Sequence, residues 1–359
     1  MKLLLLFLSC LSAAYVSAGI LRAGLKPGHF PIKYHRRPLL QATHYHHDPY
    51  DYGMVAYMTF LGTPAQSGFF VIDTVSTELT VTLCPDAVPQ WKDDSCFVSM
   101  KSSTFKNLTE KTASDVVQNA QSLSRNVVFA TRKSPTDTSG TIGLALGGLP
   151  VHQGTTYSPK WWLEGAPRQA FAMYVGLKDC VAQMQFGGTQ LCAQEGNETT
   201  LYLPSTSKKY WQFAVNGAEL GGVKSSSSQV VISTVKDYIG MPKTFLKEFT
   251  KKYSIPWDGL YGAYTVDCNA TSILPDLKFQ VDAGTLTIRA TQYVYTKKPL
   301  PNGRCVLDME DSKTFGFGPE WYFGVQIIQD YCVSFDYETK RLGFTKNHFS
   351  ASGCHDIVF

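Results

Sequence analysis

The sequence predicts an all-β fold built from two lobes. A chain of 359 residues is longer than one ordinary hydrophobic core organises, so its length alone predicts two lobes or one large all-β unit. Apolar runs of strand length alternate with Gly, Pro, Asn and Asp, and charged residues make up only 17%, which excludes disorder and coiled coil. The halves also echo each other, since residues 70–75 read Phe-Val-Ile-Asp-Thr-Val and residues 230–235 read Val-Val-Ile-Ser-Thr-Val. A second pair of Gly-centred segments, residues 140–144 and 321–325, follows in the same order. These echoes predict two related halves with an approximate internal two-fold axis.

Helical periodicity is scarce, and one segment predicts a helix of ordinary length. Residues 241–253 carry Pro242 near their start. Phe245, Phe249 and Tyr253 follow at intervals of four, which places them on one face.

The first residues predict a secretory signal peptide, residues 1–18. Lys2 precedes the apolar run 3–8, and small residues stand before a cleavage site after Ala18. The apolar run is too short to cross a bilayer, and no later window is long and apolar enough, so we expect no membrane span. Cys10 leaves with the signal, and the eight remaining cysteines suit an oxidising compartment. We therefore expect a secreted, extracellular protein, with a lysosome-like compartment as the alternative.

Residues 19–48 form a basic N-terminal arm. The arm holds five basic residues and one acid, so the rest of the mature chain is close to neutral. Without a basic surplus on the body, binding to nucleic acid is disfavoured. Arg36 and Arg37 are a candidate dibasic cleavage site, with a solvated charge pair as the alternative reading.

Three histidines near the end of the arm could ligate a metal in principle. His44, His46 and His47 have the residue type and spacing for it. No cysteine or fixed outer shell accompanies them, so we expect no metal site and no cofactor.

A series of short motifs in order resembles the pepsin-like aspartic peptidases, family A1. These motifs lie at residues 62–66, 70–81, 140–146, 171–174, 186–188, 210–212, 274–276, 321–336 and 342–344. The series covers nearly everything from residue 50 to residue 346, and the stretch 321–332 looks most like nematode members of the family.

The resemblance implies a bilobal, pepsin-like aspartic protease fold, with two β-barrel-like lobes around a central cleft. It implies an N-terminal lobe at residues 49–205, a C-terminal lobe at residues 206–359, and an arm similar to a short activation segment. It further implies a monomer whose cleft accepts a peptide or protein ligand.

Active members of that family use two carboxylates, one from each lobe. Two close carboxylates share a proton, hold a water and act as acid and base. Here the first turn reads Asp73-Thr74-Val75, which retains the first acid. The second turn reads Ser233-Thr234-Val235, with a serine where the second acid is expected. Both turns end in a valine where the family has glycine. Because a serine hydroxyl stays neutral, it cannot share the proton, and general acid–base help of about 10²- to 10⁴-fold is lost.

Active members also close the cleft with a β-hairpin flap that carries a tyrosine beside a glycine at its tip. This chain has no tyrosine between residues 57 and 157 and no glycine between residues 68 and 140. Only Asn119 or Asn126 could readily supply the positive φ of a tight hairpin, so we expect the flap to be absent or rebuilt.

The resemblance implies two disulfides, Cys84 with Cys96 and Cys268 with Cys305. The other four cysteines can pair sequentially, Cys180 with Cys192 and Cys332 with Cys354, or in the crossed manner, Cys192 with Cys332 and Cys180 with Cys354. Three sequons predict glycosylation of a secreted chain, at Asn107, Asn197 and Asn269.

These observations favour a secreted, catalytically degenerate homologue of the pepsin-like peptidases, a pseudoenzyme with a binding or scaffold role. The alternative is an aspartic-type endopeptidase of weak or atypical activity. A structural or storage glycoprotein without a specific ligand is a third hypothesis.

Overall fold

The computed structural model describes residues 21–25, 56–84, 96–133, 139–175, 182–193, 199–296, 299–314 and 318–346. Its secondary structure is mostly strand, so the predicted all-β fold of two lobes is confirmed. The signal peptide, Arg36-Arg37 and the three histidines of the arm lie outside the described residues.

Eleven described strands precede residue 206. They are β1 (Leu21–Leu25), β2 (Ala56–Leu61), β3 (Gln66–Asp73), β4 (Leu79–Thr82), β5 (Lys106–Asn107), β6 (Thr112–Gln118), β7 (Ser124–Arg132), β8 (Gly140–Gly143), β9 (Ala170–Val175), β10 (Ala182–Phe186) and β11 (Leu201–Pro204).

The described strands of the second half follow. They are β12 (Gln212–Val215), β13 (Gly217–Leu220), β14 (Val223–Ser225), β15 (Ser228–Ile232), β16 (Ile239–Met241), β17 (Trp257–Asp258), β18 (Ala263–Asp267), β19 (Leu277–Val281), β20 (Gly284–Ile288), β21 (Val294–Tyr295), β22 (Arg304–Leu307), β23 (Met309–Asp311), β24 (Trp321–Phe323), β25 (Tyr331–Asp336) and β26 (Arg341–Lys346).

Helices in the described ranges are few and short. The α-helices are α1 (Pro159–Trp162), α2 (Gln190–Ala193), α3 (Lys243–Lys252), α4 (Ala290–Tyr293) and α5 (Ile327–Asp330). The helix predicted at residues 241–253 is α3, which starts after Pro242 and buries Phe245 and Phe249 against the second lobe. Single turns of 3₁₀ helix occur at Ser99–Lys101 and Cys268–Ser272.

The two halves repeat one strand order. The first-half sheet runs β2-β3-β8-β4-β7 before continuing to β6 and β5, and a second-half sheet runs β12-β15-β24-β16-β23. The senses also agree, because β3–β8 and β15–β24 are parallel while β4–β8 and β16–β24 are antiparallel. The predicted internal two-fold is therefore present in the order and sense of the strands.

A six-stranded sheet takes strands from both halves and joins the lobes at their base. Its order is β1-β10-β9-β25-β26-β11, and every residue of β25 is buried. Phe171 of β9 stacks on Phe335 of β25 with ring centroids 4.5 Å apart. The boundary between residues 205 and 206 stays a prediction, because this sheet contains strands from both sides of it.

The basic arm begins as a strand of this base sheet. β1 lies at the sheet's edge and pairs antiparallel with β10, from Leu21 opposite Phe186 to Leu25 opposite Ala182. Residues 21–25 of the arm are therefore part of the folded body.

Three disulfides occur in the described residues. Cys84 bonds to Cys96, Cys268 to Cys305 and Cys192 to Cys332. The last bond joins α2 to β25, and it is one of the two bonds of the crossed pairing that the sequence left open. Cys180 and Cys354 lie outside the described residues.

Candidate active-site floor

The two family-like turns occupy equivalent places in the two halves. Asp73 ends β3 opposite Gly143 of the parallel strand β8. Ser233 follows β15 and donates its backbone N–H to the carbonyl oxygen of Phe323, the last residue of the parallel strand β24. The internal two-fold therefore relates Asp73 to Ser233, as the echo in the sequence predicts.

Glycines make room for each turn. A Cβ on Gly143 would lie 2.6 Å from backbone atoms of Ser76 and Glu78. A Cβ on Gly324 would lie 2.5 Å from the carbonyl oxygen of Lys236 and 2.6 Å from that of Tyr238. Because real Cβ atoms do not approach backbone so closely, both segments need glycine, which explains the Gly-centred echo in the sequence.

Thr74 and Thr234 bind the two turns to each other. The amide of each threonine donates to the hydroxyl oxygen of the other at 3.2 Å. Thr74 Oγ1 also donates to the carbonyl of Ile232 at 2.8 Å, and Thr234 Oγ1 donates to the carbonyl of Ile72. Both threonines are at most 1% exposed, so this set of hydrogen bonds is shielded from water and fixes Asp73 beside Ser233.

Asp73 is a partly buried carboxylate held by its own turn. Its Oδ1 accepts the amides of Val75 at 2.8 Å and Ser76 at 3.2 Å. Burial raises the pKa of Asp73 above the ordinary value for an aspartate, although the two backbone hydrogen bonds lower it in part. The carboxyl group therefore keeps its proton to a higher pH than an exposed aspartate does.

Ser233 provides no counterpart to that acid. The residue is 1% exposed, and its hydroxyl oxygen has no hydrogen-bond partner within the described part of the chain. A buried hydroxyl without a partner costs about 1–3 kcal/mol of folding free energy. Val75 and Val235 are partly exposed next to these turns, where the family motif has glycine.

The segment expected to lack a flap does form a hairpin. β6 and β7 pair antiparallel up to Gln118 opposite Ser124. Because β7 runs parallel to β4, and β4 begins beside the end of β8, the hairpin tip points towards the same end of the sheet as Asp73.

The tip of this hairpin is fastened to α1 and the residues after it. Asn119 is 2% exposed, and its side-chain amide donates to the carbonyls of Trp161 and Glu164 at 3.1 and 3.0 Å. Its Oδ1 accepts the amides of Gln121 and Leu123. A short hairpin whose turn is hydrogen-bonded to Trp161 and Glu164 thus occupies the segment where the family has its flap, and whether the flap is absent or rebuilt stays a prediction.

The positive φ of the turn comes from Ser122, at 63°. The expectation that Asn119 or Asn126 would supply it is wrong. The physical reason is that the Asn119 side chain is used to cap the turn and to hold α1, while Asn126 lies within the regular ladder of β7 opposite Val116.

Two polar pairs near the turns were not found from the sequence. Glu78, 5% exposed, accepts the backbone N–H of His152, and His152 Nδ1 lies 3.1 Å from its other oxygen. On the second lobe, Lys236 Nζ donates to the hydroxyl of Tyr238 at 2.6 Å. Neither pair follows a recognisable motif, so no local signal could have revealed them.

The other sequence-predicted positions are surface features. Asn107 and Asn269 are exposed, whereas Asn197 lies outside the described residues. Within the ranges that the structure describes, no group of three or more His, Cys, Asp or Glu is arranged to hold a metal ion. None of the helices described is long and apolar enough to cross a membrane.

Two related halves that meet at paired turns, each on a parallel pair of strands, define the class of the aspartic peptidase folds. The family model described as eukaryotic aspartyl protease matches residues 56–347, and the chain belongs to this family.

Similar proteins include nematode and vertebrate members. Aspartic protease 17 of Caenorhabditis elegans is 30% identical over 150 residues, which are 42% of this chain and 38% of that protein. Aspartic protease 1 of the same organism is 30% identical over 144 residues, 40% of this chain and 36% of that protein. Pepsin A of Suncus murinus is 26% identical over 320 residues, 79% of this chain and 78% of that protein. The chain thus spans well under half the length of the two nematode relatives.

Proposed function

We propose that this protein is a secreted, pepsin-like homologue that binds a peptide or protein segment in its cleft without hydrolysing it. The observation that carries the proposal is Ser233, which stands where the two-fold axis requires the partner of Asp73. A neutral hydroxyl cannot share a proton with a carboxyl group, so one half of the acid–base pair is missing. The rest of the fold still builds the two turns around the position where a ligand would lie.

Two further observations support the loss of hydrolysis. Val75 and Val235 stand where the family motif has glycine. A glycine lets backbone amides approach the reacting atoms, and the methyl groups of a valine obstruct that approach. The side-chain amide of Asn119 ties the hairpin tip to the carbonyls of Trp161 and Glu164. A tip bonded in this way cannot fold over a substrate to exclude water.

Secretion and glycosylation belong to the same proposal. The three disulfides fit an extracellular or lysosomal protein. The predicted signal peptide favours secretion, and the exposed positions of Asn107 and Asn269 leave both sequons accessible to glycosylation. We propose that the protein is a monomer. If its cleft holds one partner permanently, the protein acts as a scaffold for that partner.

One observation favours a second candidate function, an endopeptidase of weak activity. Asp73 is retained with a raised pKa, and the threonine pair still fixes its position. A single carboxyl group poised in this way could act alone as a general acid at acid pH, where it keeps its proton.

The deciding experiment measures cleavage and binding in the same samples. The purified mature chain is incubated at acid pH with a broad peptide library, beside an Asp73→Asn variant and a sample treated with pepstatin. Binding of fluorescent library peptides is followed by anisotropy. Peptide binding with cleavage no higher than in Asp73→Asn is the expected result. Cleavage that is lost in Asp73→Asn would establish the endopeptidase instead, and the absence of both binding and cleavage would leave the storage or structural role.

A further inference from the structure

A cationic and aromatic cluster stands on the second lobe directly beyond Ser233. It consists of Lys236, Tyr238, Tyr322 and Tyr210, all partly buried, and is called the Lys236 cluster below. Lys236 Nζ lies 4.6 Å from the ring centroid of Tyr238 and 5.2 Å from that of Tyr322. Such cation–π contacts stabilise a cation that has lost part of its water.

The backbone fixes this cluster beside the turn. The amide of Lys236 donates to the carbonyl of Ser233 at 3.1 Å, and its carbonyl accepts the amide of Val325 at 3.0 Å. Tyr322 is the central residue of β24, opposite Val231 of β15, the strand that leads into Ser233. The Lys236 cluster is therefore part of the same floor as Ser233.

The Tyr322 ring is held in place by packing. A Cβ on Gly240 would lie 3.1 to 3.5 Å from atoms of the Tyr322 side chain, so the ring rests on the backbone of β16. Burial raises the pKa of Tyr322, and the nearby charge of Lys236 lowers it in part, while Tyr210 and Tyr238 raise it. The four side chains thus form one electrostatic unit.

Among the residues that the structure describes, Lys236 has no counterion. In the described part of the chain Lys236 forms no ion pair with a carboxylate, and its ammonium group donates a hydrogen bond to the Tyr238 hydroxyl. Asp237 is its neighbour in sequence, and Glu310 lies opposite Gly240 on the far side of β16. An ammonium group has three donors, so Lys236 can donate further hydrogen bonds to an incoming anion.

The charge balance of the floor points the same way. Ser233 stands where the family motif would place a negative charge, so the floor holds one carboxyl group, that of Asp73, instead of two. Lys236 adds a positive charge three residues after Ser233. A floor of this sign favours an anionic ligand group over a cationic one.

We propose that the Lys236 cluster binds a carboxylate of the peptide segment that occupies the cleft. The ammonium group of Lys236 would donate to the carboxylate oxygens, and the rings of Tyr238 and Tyr322 would shield this pair from water. The proposal rests on the proposed function, since it needs a peptide in the cleft. The carboxylate can come from an acidic side chain or from a peptide C-terminus.

The test uses the full mature chain and fluorescent octapeptide pools. Each pool has Glu, Gln or Lys fixed at one position and mixed residues elsewhere, and every pool is made with a free and with an amidated C-terminus. Dissociation constants are measured by anisotropy. A charge-assisted hydrogen bond predicts that wild type binds one class of carboxylate about tenfold more tightly than its neutral counterpart. Preference for Glu over Gln identifies a side chain, and preference for the free acid identifies the C-terminus.

Variants assign that preference to the cluster. Lys236→Met and Lys236→Gln are expected to reduce it to within about twofold while the neutral pools bind as before, and Lys236→Arg is expected to keep it. Lys247→Met, on the exposed face of α3, is the matched control and should change nothing. Thermal unfolding checks that each variant is folded. If either Lys236→Met or Lys236→Gln fails to fold, the other still tests the inference.

Two outcomes would overturn the inference while leaving the proposed function standing. In the first, the pools bind wild type with no preference for a carboxylate. In the second, the preference persists in both Lys236→Met and Lys236→Gln, so that another group recognises the carboxylate. If no pool binds to wild type, the proposed peptide-binding function fails, and the Lys236 cluster has no peptide carboxylate to bind.

Discussion

Thr74 and Thr234 exchange hydrogen bonds across the internal two-fold axis, each amide donating to the other's hydroxyl at 3.2 Å. This relationship keeps the two turns in equivalent places although the first carries an acid, Asp73, and the second a serine, Ser233. The position of the turns therefore does not depend on whether residue 233 is an acid. The hydrogen bonds that fix the turns use backbone groups and threonine hydroxyls, which take no part in proton transfer.

The threonine pair should contribute strongly to stability. We expect Thr74→Val and Thr234→Val each to lower the free energy of unfolding by about 1–3 kcal/mol, because buried amide and carbonyl groups lose their partners. The double variant should lose less than the sum, since the residues act as one unit. Urea unfolding measures both effects. Thr285→Val, at an exposed position of β20, is the control and should change stability by no more than about 0.5 kcal/mol.

The ionisation of Asp73 should oppose folding. Its pKa is raised in the folded chain, so the protonated form is favoured there, and stability is lost as the pH rises through the folded pKa. Asp73→Asn should therefore raise Tm at pH 7 and leave it nearly unchanged at pH 3, where the wild-type carboxyl is protonated in both states. A gain of about 1 kcal/mol would correspond to roughly 1–2 °C in a chain of this size. An equal shift in Tm at both pH values would contradict the assignment.

Restoring the second acid alone should not restore hydrolysis. Ser233→Asp places two carboxyl groups together, so they will share a proton and the variant should lose stability as the pH rises. We expect no cleavage of a peptide library by this variant, because Val75 and Val235 remain. The triple variant with Val75→Gly and Val235→Gly should gain cleavage at acid pH, by a factor approaching the 10²- to 10⁴-fold range of acid–base catalysis. Adding Asp73→Asn to the triple variant is the control and should abolish the gain.

The disulfide between Cys192 and Cys332 should stabilise more than the one between Cys84 and Cys96. It spans 140 residues against 12, and loop-closure entropy grows with the length of the closed loop. Replacing both cysteines of a bridge by serine should lower the free energy of unfolding. We expect a loss of roughly 4–5 kcal/mol for the long bridge and roughly 3 kcal/mol for the short one. Denaturant unfolding of both double variants makes the comparison. Equal losses would show that the entropy of the unfolded chain does not govern these bridges.

Asn119 should control the mobility of the hairpin tip. Its side chain makes four hydrogen bonds to the turn and to the residues around α1. The amides of Gln121 and Leu123 donate hydrogen bonds to Asn119 Oδ1, so Asn119→Ala should speed their exchange with solvent. The amides of β4 should stay protected. Hydrogen exchange followed by mass spectrometry reads both regions. Asn126→Ala, within the ladder of β7, is the control, and faster exchange at the tip in that variant alone would contradict this assignment.

Much of the architecture could be predicted from local sequence. The echo between residues 70–75 and 230–235 indicated the two-fold, because equivalent turns on equivalent strands need similar residues. The helix at α3 followed from Phe245 and Phe249 on one face after Pro242. The pairing of Cys192 could not be chosen in this way, since it depends on the base sheet bringing α2 against β25.

The sequence by itself determined which chemical groups the floor contains: Asp73 without a second acid, valines in place of glycines, and no tyrosine for a flap. Only the tertiary structure decided how they are arranged. It brought Asp73 and Ser233 to equivalent places through the threonine pair, tied the β6–β7 hairpin to the residues around α1, and put Lys236 among tyrosines from separate segments of the chain. The physical reason is that residue type is a local property, whereas hydrogen bonds, burial and charge balance depend on contacts between residues far apart in the chain.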